Sequence, residues 1–131
     1  MKIINYFIDY ITIKKDDVFL VSYPKSGNTR FRLAIAKYLQ LMGSLNKYDF
    51  DFEFTNKIMP ELGKGNINSA KEIYSNIDSL SKFPSFIKSH LPYYKLRLFN
   101  KNNSIILIVR LEPDTIMSYY DYTKALGTIK I

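Results

Sequence analysis

The sequence predicts an α/β fold, an open parallel sheet flanked by helices. Three observations point there. Three short apolar runs, 17–23, 84–88 and 104–109, are rich in the β-branched and aromatic residues of buried strands. Helix-period segments alternate with them, as α/β topology requires. Each run ends in a polar, charged or glycine-containing stretch, and in open parallel sheets the chemistry gathers at the carboxyl ends of the strands.

The elements can be justified in order. Met1–Ile13 is apolar but interrupted by Lys2, Asn5, Asp9 and Thr12, and it lacks a small-residue cleavage site. It reads as no signal peptide. No apolar run reaches the roughly 18–20 residues of a membrane span, so a cytoplasmic protein is expected. Asp17-Val18-Phe19-Leu20-Val21-Ser22-Tyr23 forms the first strand, closed by Pro24. Lys25-Ser26-Gly27-Asn28 makes a tight polar loop. A helix follows from about Thr29 to Met42, with Phe31, Ile35, Tyr38 and Met42 on its apolar face and Gly43 as its stop.

Residues 44–82 read as a variable insert between the motif-bearing segments. Tyr48, Phe50, Phe52 and Phe54 alternate with Asp49, Asp51 and Glu53, a period of two that predicts an extended segment with one aromatic face. Those aromatics either pack on the core or wall a substrate. Gly63-Lys64-Gly65-Asn66 is a loop, and Ile73, Ile77 and Leu80 support a short helix near 68–80. Pro84–Lys88 is the second strand, running into Ser89-His90-Leu91-Pro92. Ser104–Val109 is the third, ending at Arg110. Pro113 opens the last helix, with Glu112 and Asp114 favourable at its positive end and Gly127 able to stop it near Ala125.

Composition removes several function classes. The 131 residues contain no cysteine, which excludes disulfides, cysteine-bound zinc and thiol catalysis. The formal charge of +7 is uneven. Residues 1–43 carry seven basic and three acidic groups, residues 44–80 four and six, and residues 81–131 eight and three. The two basic segments hold the polar strand ends, and such a field favours an anionic partner. Nucleic acid is not expected, because the basic residues are dispersed and no zinc-finger or RNP-like aromatic motif occurs.

The first strand end suits phosphate. Gly27 permits close backbone approach, free N–H groups at a helix start point at an anion, and Lys25 adds full charge. Ser26 and Thr29 supply hydroxyls. The loop is not G-x-x-x-x-G-K-[ST], since its lysine precedes the glycine. The third strand ends in Arg110 where a magnesium-holding Asp would otherwise stand. Protein charges without a metal are therefore expected to bind the phosphate-like group.

These residues carry a family resemblance. Ser22-Tyr23-Pro24-Lys25-Ser26-Gly27-Asn28-Thr29 resembles the 5′-phosphosulfate loop of sulfotransferases that use 3′-phosphoadenosine 5′-phosphosulfate (PAPS). Ile87-Lys88-Ser89-His90-Leu91-Pro92 is similar to the segment holding that family's catalytic histidine. Val109-Arg110, with Ser118 eight residues after the arginine, resembles its 3′-phosphate motif. The likeness spans about 18–123 in the family's order. Arg30 stands where the family has an aromatic Trp, and Glu112 where it favours Pro. Family members run to about twice this length, and their C-terminal Arg-Lys-Gly and Gly-x-x-Gly-x-x-Lys elements are absent. The expected architecture is thus a P-loop-like sheet, apparently truncated: one partial sulfotransferase domain over 1–131, with strand 104–109 partly uncovered and exposed edges that favour self-association.

The resemblance implies transfer of a sulfuryl group from PAPS, the cosubstrate, to an acceptor hydroxyl or amine on a small molecule, glycan or lipid. It makes His90 the general base; an ordinary imidazole, with pKa near ~6.5, suits proton transfer at neutral pH. Lys25 stabilises the leaving phosphate oxygen, and Lys88 adds a second charge at the sulfate. Ser26, Gly27, Asn28 and Thr29 cradle the 5′-phosphosulfate, while Arg110 and Ser118 hold the 3′-phosphate. Two other readings stand beside it: a non-catalytic remnant or nucleotide-binding module of the same fold, and a metal-free kinase-like protein using ATP.

Overall fold

The computed structural model describes residues 2–41, 51–78 and 80–127. The order is α1 (Lys2–Thr12), β1 (Val18–Ser22), α2 (Asn28–Leu39), α3 (Phe52–Ile58), α4 (Ile67–Asn76), β2 (Phe86–Ser89), α5 (Tyr93–Leu96), β3 (Ser104–Ile108) and α6 (Glu112–Ala125). The three strands form one sheet in the order β2-β1-β3, and both pairings are parallel. The α/β class and the three strand positions follow the sequence reading. In register, Leu20 lies between Lys88 and Ile106, and Val21 between Ser89 and Leu107. The carboxyl ends of all three strands therefore come out on one edge.

The sheet buries side chains on both faces, as a parallel sheet must. On one face Leu20, Phe86 and Ile106 meet Ala36 and Leu39 of α2, Ile58 of α3, Met59, Tyr74 of α4 and Leu80. On the other, Phe19, Val21 and Ile87 meet Ile13, Leu62, Ile67, Leu96 and the ring of Phe99. Phe19, Leu20 and Ile87 are completely buried, each worth about 1.5–3 kcal/mol of transfer free energy. Beside them β3 is poorly covered: Ile105 and Leu107, on the same face as Phe19 and Val21, are 37% and 64% exposed.

Two local expectations change. The alternation at 48–54 does not give a strand at Phe52 and Phe54, which open α3. The Asp51 carboxylate accepts a hydrogen bond from the Phe54 backbone N–H at 2.7 Å and caps the helix. Thr55 and Ile58, three apart, then face inward at helical spacing. Tyr48 and Phe50 lie outside the described residues. Along α2 the inward face is Asn28, Arg32, Ala36 and Leu39. Phe31 and Ile35 are half-buried at its margin, Tyr38 is exposed, and Met42 and Gly43 lie outside the described residues. Arg32 can point inward because one guanidinium nitrogen, Nη2, reaches the carbonyls of Thr55 (3.4 Å) and Met59 (2.9 Å) and the amide oxygen of Asn56 (2.7 Å). Those acceptors offset part of the cost of burying the charge. Burial still lowers the Arg32 pKa from its ordinary value, with Glu61 acting in the opposite direction.

Candidate active site at the carboxyl edge

The site begins where β1 stops. Pro24 closes the strand, and Lys25 and Gly27 both take left-handed conformations, at φ 65° and 96°. Gly27 is the N-cap of α2 and offers no side chain to its first-turn N–H groups. A Cβ built there would meet nothing within 4 Å, so the backbone is open on that side. An open, uncapped helix start is the arrangement that receives an anion. Ser26 and Asn28 are buried, while Thr29 and Arg30 are exposed. The Asn28 amide donates to Ser22 Oγ at 3.1 Å, and its Oδ1 has no partner among the described residues. The Asn28 side chain is thus turned toward Ser22, while its backbone N–H belongs to the open first turn of α2.

His90 follows β2 directly and meets the end of β1. Its Nδ1 lies 2.8 Å from the Ser22 carbonyl oxygen and 3.3 Å from Ser22 Oγ. A carbonyl can only accept, so Nδ1 carries the hydrogen. In the neutral ring Nε2 is then the basic nitrogen. Asn28, Ser22 and His90 thus form a continuous chain from the phosphate-type loop to a potential base. His90 also lines a cleft of 1140 Å³, bounded by Tyr23 and Pro24, by Tyr93 and Tyr94 of α5, by the uncovered Ile105 and Leu107, and by Tyr119 and Tyr120 of α6. Its walls are mostly apolar and aromatic.

The third strand end also reaches the loop. Arg110 Nη1 donates to the Lys25 carbonyl at 3.3 Å, and the Lys25 ammonium lies 4.4 Å from the centroid of the Tyr122 ring. Ser118 is half-buried one helical turn before Tyr122, so α6 presents both along the same side. Lys88 sits apart. Its ammonium pairs with Glu61 at 3.1 Å and lines a separate polar cleft of 390 Å³ with Thr29, Arg32 and Lys64. The backbone of Lys88 is held too: its N–H donates to the Pro60 carbonyl, and its carbonyl accepts from Leu62 N–H.

A family model described as a sulfotransferase domain matches residues 15–130. The chain belongs to the sulfotransferase family. Among its relatives are Sulfotransferase 4A1 of Mus musculus, 29% identical over 123 residues, and Amine sulfotransferase of Oryctolagus cuniculus, 31% identical over 125 residues. Sulfotransferase 1B1 of Canis lupus familiaris is 30% identical over 119 residues. These alignments cover 89%, 94% and 88% of this chain, but only 39%, 38% and 38% of the respective relatives. The chain thus spans about two-fifths of the length of these sulfotransferases. No solved structure matches it.

Three residues that the sequence reading passed over belong to this description of the sulfotransferase edge. Tyr122 carries the Lys25 contact, and its spacing of four from Ser118 was the available signal. Glu61 lies twenty-seven positions from Lys88, and Arg32, one turn along α2 from Thr29, is further still from it; the three share a cleft only through the fold.

Proposed function

We propose that this chain binds PAPS at the loop 25–29 and takes part in moving its sulfuryl group to an acceptor hydroxyl or amine. The observation that carries the reading is the His90–Ser22 hydrogen bond, which places the hydrogen on Nδ1 and so makes Nε2 the basic nitrogen of a ring that lines an apolar cleft beside the phosphate-type loop. We read 1–131 as part of one sulfotransferase domain, with 44–82 as its variable segment.

His90 takes the proton from the acceptor as the acceptor's lone pair forms the new bond to sulfur. The bond from sulfur to the phosphate oxygen breaks, and the electron pair leaves on that oxygen. Lys25 neutralises the leaving oxygen, and the backbone N–H groups from Gly27 onward, with the Ser26 and Thr29 hydroxyls, hold the 5′ group. Arg110 and Ser118 hold the 3′-phosphate. Lys25 and Arg110 suit these anions because their partners among the described residues are weak, a ring face and a loop carbonyl. Lys88 supports the transferred group only after its pair with Glu61 loosens.

That pair also favours a second reading, a nucleotide-binding module without turnover. Two measurements separate them. Calorimetry with 3′-phosphoadenosine 5′-phosphate against AMP tests the two-phosphate site, and equal affinities refute it. Transfer of labelled sulfate from PAPS to a phenol or amine tests catalysis; tight binding with no transfer leaves the module.

A further inference from the structure

We propose that α1 is a docking helix for an anionic lipid surface. Its sequence is amphipathic, with Ile3, Ile4, Phe7, Ile8 and Ile11 at the spacing of a single apolar stripe. A surface helix ordinarily turns such a stripe inward. Here it faces solvent: Ile3 is 84% exposed, Phe7 65%, and Ile4 and Ile11 61% each.

The reversed orientation is built into the packing. Asp9, on the opposite face, is completely buried, and its Oδ2 accepts from Gly63 N–H at 2.6 Å and Gly65 N–H at 3.3 Å. Tyr6 packs on Phe99 at 5.5 Å between ring centroids. A Cβ at Gly63 would lie 2.4 Å from the Tyr6 ring, and one at Gly65 3.0 Å from Asn5 Oδ1. The loop 63–65 is therefore fitted to Asn5, Tyr6 and Asp9. A buried carboxylate and two glycines hold the polar face in, which leaves the apolar face outward by construction.

Length and charge select the occupant. Eleven residues span about 16 Å, and no described helix is long and apolar enough to cross a membrane. Five side chains also fall well below the roughly 20–30 residues a side of a stable protein interface. They suit shallow insertion at a lipid boundary. The surroundings are basic. Residues 3–15 and 93–103 contain Lys14, Lys15, Lys95, Arg97 and Lys101, against one acid, the buried Asp9. The second segment lies against the helix, since Phe99 touches Tyr6 and Tyr10, and the Lys101 ammonium bonds to the carbonyls of Tyr10 and Ile13. Lys14, Lys15, Lys95 and Arg97 are exposed, and Asp16 is the exposed acid next in sequence. An apolar stripe beside a positive rim matches anionic headgroups over an acyl layer.

The test uses the 131-residue chain with vesicles of phosphatidylcholine containing about one third phosphatidylglycerol, read by co-sedimentation, with light scattering in the absence of lipid. The chain should sediment with these vesicles and about tenfold less with phosphatidylcholine alone or in high salt. The double variant Ile4→Ser/Phe7→Ser should bind about tenfold more weakly or worse while keeping its thermal transition, because both side chains are exposed. Lys14→Glu/Lys15→Glu should weaken binding to the anionic vesicles alone. Equal sedimentation of the serine variant overturns the proposal. So does a lipid-free dimer that the serine variant converts to monomer without any vesicle binding, which would assign the stripe to a second copy of the chain.

Discussion

Replacing His90 by alanine separates the proposed base from a structural histidine. The structure sets what is lost. The half-buried ring gives up one hydrogen bond from Nδ1 to the Ser22 carbonyl, at 2.8 Å. The net contribution of such a bond to stability is about 0.5–1.5 kcal/mol, so the fold should survive. The hydrogen bonds that link His90 to the loop among the described residues run through Ser22, and nucleotide affinity should change less than about threefold. Removing a general base costs about 10²–10⁴ in rate, equivalent to about 3–5 kcal/mol of transition-state stabilisation. The informative control is Ser22→Ala. It deletes the hydroxyl that accepts from Asn28 but keeps the backbone carbonyl that fixes the tautomer. Its rate should fall by less than about tenfold. Labelled-sulfate transfer and nucleotide calorimetry on the three proteins decide the matter. Wild-type turnover in His90→Ala would show a structural histidine. Equal damage from Ser22→Ala would show that the hydroxyl, not the carbonyl, orients the ring.

Other perturbations test neighbouring parts. On the proposed reading, Arg110→Ala would remove a charge-assisted phosphate contact worth about 1.5–3 kcal/mol; 3′-phosphoadenosine 5′-phosphate should weaken about 10- to 150-fold in calorimetry while AMP changes little. Gly63→Ala puts a Cβ 2.4 Å from the Tyr6 ring at φ 88°; backbone strain of about 1–2 kcal/mol and overpacking of about 1–3 kcal/mol should lower urea-unfolding stability by about 2–5 kcal/mol. Asp9 titrates above its ordinary 3.8 because burial outweighs the N–H bonds from Gly63 and Gly65. The folded protein then holds that proton more tightly than the unfolded chain, so Asp9's contribution is fully present below about pH 4 and is lost as pH rises through the raised value. Asp9→Asn keeps an acceptor for both N–H groups and should flatten that part of the stability–pH curve in denaturant titrations; an unchanged slope would show that Asp9 is not its source.

How much of this was legible in the sequence depends on the range of the interactions. The strands at 18–22, 86–89 and 104–108 were readable because buried parallel strands are locally apolar and β-branched. The loop 25–29 was readable because left-handed turns and helix starts use few residue types. The aromatic alternation at 52–54 misled because Asp51 caps a helix, and a cap overrides a short period of two. The inward turn of Arg32 depends on carbonyls more than twenty residues away, and the pairing of Lys88 with Glu61 spans twenty-seven positions. Neither has a local signal. The first thirteen residues were read for what they are not, a signal peptide. Their inside-out helix depends on Asp9 meeting Gly63 and Gly65, over fifty positions away.

The contacts at Lys25 link the loop to the wall of the cleft. Two bonds from the third strand and its helix end on this one residue, Arg110 on its carbonyl and Tyr122 under its ammonium. Tyr122 is 47% exposed and the Arg110 contact lies at the surface, so each is worth about 1 kcal/mol or less. Against these, a phosphate oxygen offers either cation a full opposite charge, where the ring face and the carbonyl offer only partial ones. The exchange favours the anion for both residues. It also acts on α6, whose buried residue among those described is Thr115 and whose Tyr122 ring meets the loop. On the proposed reading, a group bound at 25–29 that draws Lys25 off the ring removes this contact between the loop and the helix bearing Ser118, Tyr119 and Tyr120. One that engages Arg110 and Ser118 together ties the same helix down again. On the proposed reading, the position of the cleft's aromatic wall would depend on whether one phosphate or two is bound, and a 3′-phosphate on Arg110 and Ser118 would couple nucleotide identity to the shape of the cleft.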